Sequence, residues 1–125
     1  MSIIRYNHAL DIQNRVAELS RKLGMKHIDP EKVVCIRSIG SKTDRIIARC
    51  HALSRIMKFA LGTETHYVIE VISEQFDILS EEERTKTLIH ELMHIPKSFG
   101  GGFRYHSYVN RVSVEKLYRR YKQAG

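Results

Sequence analysis

Apolar positions between residues 7 and 23 recur at helical spacing, with Ile12, Val16, Leu19 and Leu23 on one stripe. The spacing predicts a helix there, capped by Asn7 and stopped by Gly24. Asp29-Pro30 marks a turn, and Val33, Val34 and Ile36 predict a strand over about residues 32 to 38. A second turn covers Gly40 to Asp44. Residues 45 to 61 fit two periods: Ile46, Ala48, Cys50 and Ala52 alternate as in a strand, while Ile46, Cys50, Leu53, Met57 and Ala60 suit a helix. We read a strand to about residue 52, then a short helix from Ser54 to Leu61 closed by Gly62. His66 to Ile72, rich in β-branched residues, predicts another strand.

The strongest helical signal begins at Ser80. Ser80 and Glu83 have capping-box spacing, and Glu81, Glu82 and Glu83 put negative charge at the positive end of the helix dipole. This helix is expected to run to about Ile95, before Pro96. Gly100-Gly101-Gly102 follows as a turn, and a last helix is expected over about Tyr108 to Lys122, with Val114, Leu117, Tyr118 and Tyr121 as its apolar face. The order helix, two or three strands, helix, loop, helix implies an α+β domain with a small antiparallel or mixed sheet.

Composition narrows the class. The 125 residues, 42% hydrophobic and 28% charged, suit one soluble domain spanning 1–125. No apolar run is long enough for a membrane span, and no secretory signal is evident, so a cytoplasmic protein is expected. Cys35 and Cys50 belong to no CxxC pair and read as two reduced thiols. Paired as a hairpin about Gly40 to Thr43, their segments would bring them near but not directly opposite each other. The net charge of +7 raises nucleic acid as a partner. Lys and Arg are spread along the chain, however, and the local concentration Lys116, Arg119, Arg120 and Lys122 reads as a solvated basic helix face.

Chemistry concentrates in His90-Glu91-Leu92-Met93-His94, an HExxH pattern inside the best-defined helix. Residues four apart lie about one turn apart on one face, so both imidazoles can reach one tetrahedral ion. Glu91 lies about 100° around the helix from His90, placing its carboxylate to reach a water on the metal without ligating it. Leu88, Leu92 and Ile95, with Ile89 and Met93 beside them, form the opposite, packing face. A catalytic zinc takes three protein ligands. His106 follows a loop whose three glycines let the backbone turn back, and is the expected third ligand. Glu115 is its rival, twenty residues beyond His94; the carboxylate expected four residues later is replaced by Arg119. His8, His27, His51 and His66 are scattered and read as surface or core-edge residues.

The segment HELMHIPKSFGGGFRYH, residues 90 to 106, resembles the signature of small metallopeptidases of archaea and phages, and more loosely the SprT-like and Spartan zincins. The preceding YVIEVISEQFDILSEEERTKTLIHEL, residues 67 to 92, resembles the strand-then-helix segment of the first group. The resemblance implies His90, His94 and His106 as zinc ligands and Glu91 as catalytic base. It also implies a minimal zincin-like fold with an edge strand above the metal helix. The loop before the third histidine is shorter than in the SprT-like pattern and lacks its GHG sequence, which counts against a DNA-repair role more than against metal binding.

These readings combine into one expectation, a zinc-dependent peptidase acting on peptides or proteins with one zinc ion. Zinc lowers the pKa of its water towards about 7, and Glu91 moves the proton to the leaving amine. Arg104, Tyr105 or Tyr108 would help stabilise the oxyanion. The alternatives are a DNA-associated protease tethered by its basic last helix, an inactive zinc-binding module, and an accessory chain whose site a partner completes.

Overall fold

The computed structural model describes residues 3–124. Four strands form one mixed sheet: β1 (Arg5–His8), β2 (Val33–Ile39), β3 (Ala48–Ala52) and β4 (Tyr67–Ile72), in the order β1-β2-β4-β3. Five helices accompany it: α1 (Leu10–Lys22), α2 (Arg55–Leu61), the single turn α3 (Ser73–Phe76), α4 (Glu81–Met93) and α5 (Arg111–Gln123). The α+β architecture with a small mixed sheet agrees with the pattern of the sequence.

Strands β2 and β3 do not pair as a hairpin about Gly40 to Thr43. Strand β4 inserts between β2 and β3, parallel to the first and antiparallel to the second. Cys35 and Cys50 therefore flank Ile69 from opposite sides, and both are free thiols. The physical reason lies in β4 itself. Five of its six residues are buried, so it needs neighbours along both edges, whereas Ala48–Ala52 is only half-buried and suits an edge.

Strand β1 was not anticipated. Its four residues are exposed and carry no alternation, yet they pair antiparallel with Ile36 to Ile39. Asn7 is thus a strand residue opposite Arg37 and caps no helix. Helix α1 starts at Leu10 behind Ala9, whose N–H donates to the Cys35 carbonyl at 3.0 Å. The stripe Ile12, Val16, Leu19 and Leu23 is buried as its spacing requires. Gln13 ties the helix to β2, accepting from the Cys35 N–H at 2.8 Å.

Helix α4 positions the chemistry. Ser80 caps it by accepting from the Glu83 N–H at 3.2 Å. Leu88, Ile89, Leu92, Met93 and Ile95 are buried in the core with Tyr67, Ile69 and Val71 of β4. Met93 is the last regular residue, but His94 keeps helical dihedrals (φ −69°, ψ −18°), so its spacing from His90 survives. Helix α5 begins three residues later than expected. Asn110 accepts from the Ser113 N–H at 3.1 Å, while the Ser113 hydroxyl accepts from the Asn110 N–H at 3.0 Å, a reciprocal cap.

Candidate metal centre

His90 and His94 project together from α4, with their Nε2 atoms 3.1 Å apart. His106 returns across the glycine loop to complete a trio whose candidate ligand nitrogens all lie within 4.8 Å of one another. The ring centroids are 4.8 Å (His90 to His94), 5.6 Å (His90 to His106) and 5.1 Å (His94 to His106) apart. Burial, followed by the neighbouring His94 and His106, pushes His90 down to about 4, so its ring is neutral at pH 7 and free to donate a lone pair. Three imidazoles converging in this way fit a divalent metal ion.

One clasp orients the trio. The Arg104 carbonyl accepts from His94 Nδ1 at 2.7 Å, leaving Nε2 to face the other rings. In return the Arg104 N–H donates to the His94 carbonyl at 2.8 Å. The loop between them is held from below by Tyr67, whose buried hydroxyl donates to the Gly102 carbonyl at 2.8 Å and accepts from the Gly101 N–H at 3.0 Å. Phe99 and Phe103 pack edge-on against the same ring. Lys58 of α2 adds a bond to the Gly100 carbonyl at 3.1 Å. Gly101 has φ +100°, and an added Cβ would lie 3.4 Å from the Leu53 carbonyl, so a side chain there would be strained. The turn expected at its three glycines is therefore pinned by side chains from β4 and α2.

Glu91 is only 6% exposed, and burial raises its carboxyl to about 7. It lines two cavities at once. One, of about 650 Å³, is bounded by Ala48 of β3, His90 of α4 and Val114 of α5. The other, of about 260 Å³, is bounded by Cys50 of β3, His94, Arg104, Tyr105 and His106. A carboxylate with a pKa near neutrality, beside a histidine trio and reachable from two hollows, is suited to taking and returning a proton.

The remaining candidates separate cleanly. Glu115 stands outside the trio; its carboxylate meets Lys86 at 2.8 Å in the larger cavity. Arg104 and Tyr105 line the smaller cavity, while the Tyr108 ring lies beneath the Arg104 guanidinium at 4.1 Å. His51 bonds Glu70 at 2.8 Å, the His66 ring meets the Glu64 carbonyl at 3.0 Å, His8 is an exposed residue of β1, and His27 is half-buried. Tyr67, the Arg104 carbonyl and Cys50 were not anticipated at the site. A tyrosine opening a strand gives no sign that its hydroxyl will anchor a loop thirty-five residues away.

A histidine trio on and beside a helix, against a small mixed sheet, defines the class of small zincin-like metal-binding domains. The chain belongs to the family described as "Putative phage metallopeptidase", whose model matches residues 4–124. A search of curated proteins and a search of solved structures each returned no match. No helix among the described residues is long and apolar enough to cross a membrane.

Proposed function

We propose that this chain is a zinc-dependent peptidase in which His90, His94 and His106 hold one zinc ion and Glu91 is the general base. The observation that carries this reading is the convergence of three ligand nitrogens within 4.8 Å beside a buried carboxyl raised to about 7. A zinc ion held by these three histidines would supply Lewis acidity to a water and to a scissile carbonyl. Imidazole nitrogens suit zinc as they do copper, iron and nickel, and a set of three histidines is one that catalytic zinc uses.

Glu91 takes the proton of the attacking water and delivers it to the leaving amine, from a buried position beside the trio that both hollows reach. Strand β3 directs the substrate. It pairs only with β4, leaving its outer edge open among the described residues, and it borders both cavities through Ala48 and Cys50. An extended peptide added to that edge crosses from one hollow to the other past Glu91. Arg104 and Tyr105 supply donors to the developing oxyanion from the smaller cavity.

The test is Glu91→Gln, which is expected to keep one equivalent of zinc and to lower peptide hydrolysis by at least about a hundredfold. Cleavage by that variant at the wild-type rate would sink the mechanism. Metal analysis of His106→Ala beside Glu115→Ala identifies the third ligand, with loss expected only in the former.

A further inference from the structure

The excess positive charge is not evenly exposed. Arg15, Lys32, Arg37, Arg49, Arg84 and Lys86 are each spent on carboxylates. The other cations fall outside these pairs; some are scattered over the chain, but one group gathers at the joined ends of α1 and α5. Lys116, Arg119, Arg120 and Lys122 occupy the last turns of α5, and Arg21, Lys22 and Lys26 occupy the end of α1 and the turn after it. None of these seven is in an ion pair among the described residues.

The two groups, ninety residues apart in sequence, meet in space. The Arg120 guanidinium donates to the Leu23 carbonyl at 3.4 Å, and the Lys22 ammonium lies over the Tyr121 ring at 5.4 Å. Two carboxylates lie nearby and both have other partners: Glu18 accepts from the Tyr121 hydroxyl at 2.6 Å, and Glu115 meets Lys86 at 2.8 Å. Tertiary packing thus joins the two groups at Arg120 and Lys22 into one basic ridge. It is broader than the solvated face of α5 expected from the sequence.

We infer that this ridge binds the sugar-phosphate backbone of a nucleic acid. A row of unpaired cations spread over two elements matches an extended polyanion better than a compact ligand. Three of the seven are arginines, whose planar forks fit phosphate oxygens. An anionic bilayer is the other polyanion to weigh, and interfacial helices that dock there insert apolar side chains beside their cations. The exposed large apolar residues of this chain lie elsewhere, apart from Val112, which is one turn before Lys116. Base-specific readout is not implied; contacts of this kind position without specifying sequence.

The experiment uses the full chain and a labelled mixed-sequence DNA duplex of about 20 base pairs, followed by fluorescence anisotropy at about 50 mM and 200 mM salt. With four phosphates neutralised, affinity is expected to fall roughly a hundredfold between those salts. The combined variant Lys116→Gln, Arg119→Gln and Lys122→Gln, all exposed, is expected to weaken binding at least tenfold at the lower salt. Arg21→Gln with Lys26→Gln tests the other half of the ridge and should weaken binding too. Lys42→Gln, Arg55→Gln and Lys97→Gln remove the same charge from exposed positions elsewhere and should change affinity less than twofold. No binding at the lower salt, equal losses in the ridge and control variants, or preference for vesicles containing about 30% phosphatidylserine over DNA would each overturn the inference. Each readout is independent of peptide hydrolysis, so its outcome leaves the peptidase reading to its own test.

Discussion

At the scale of single residues, Tyr67 shows how a group with no part in the chemistry can govern it. Its hydroxyl is the one side-chain atom that both donates to and accepts from the glycine loop, and it is fully buried. Tyr67→Phe keeps the ring that Phe99 and Phe103 pack against and deletes only those two bonds. The loop groups lie near the surface and regain part of the loss from water, so the expected cost is about 1 kcal/mol. The sharper effect falls on His106, which the loop delivers. Equilibrium dialysis with zinc should show weaker retention by Tyr67→Phe than by the parent, and unchanged retention would mean that the Arg104 clasp alone suffices.

At the scale of elements, α4 was the most legible part of the chain because several local signals agreed there. Cap spacing, acidic first turn, apolar stripe and terminating proline all point to one helix, and the histidine spacing has meaning only on it. Strand β1 was illegible because Arg5–His8 is exposed and its pairing is decided by β2. The central place of β4 follows from the nearly unbroken apolar character of Tyr67–Ile72, which needs neighbours on both edges. Helix α5, expected from about Tyr108, begins at Arg111 because Asn110 with Ser113 forms the reciprocal cap. Asn110→Ala removes that cap and is expected to cost about 1 kcal/mol, measured by urea unfolding. Because Val114 and Glu115 border the larger cavity, fraying of this end should also raise KM. A change in stability below about 0.3 kcal/mol would show that the cap is dispensable.

At the scale of the whole molecule, Arg37 fastens three elements. From β2 it reaches Asp11 of α1, at 2.7 and 2.9 Å, and Asp77 just beyond α3, at 3.0 Å. Arg37 holds the Asp11 carboxyl below the usual carboxylate range. For Asp77, burial acts upward but is outweighed by Arg37 and Ser73, and the net shift is also downward. A depressed folded pKa stabilises the fold above the unfolded value near 4, and that contribution is lost as pH falls through the folded values. Both carboxylates are partly exposed, so each pair is worth less than about 1 kcal/mol. Arg37→Gln is therefore expected to lower the urea midpoint more at about pH 7 than at about pH 3. Equal losses at both would remove the ionic contribution and leave only packing.

The pair of hydrogen bonds between Arg104 and His94 has a consequence for how such a chain can change over time. Aim of the second imidazole and delivery of the third depend on the same two backbone groups, and Tyr67 holds the intervening stretch at Gly101 and Gly102. Residues inserted or deleted there leave the trio intact provided Tyr67 still meets the loop and Arg104 still returns to His94. A single residue gained or lost between Arg104 and His106 has no such tolerance, because it rotates the third ring away from the other two.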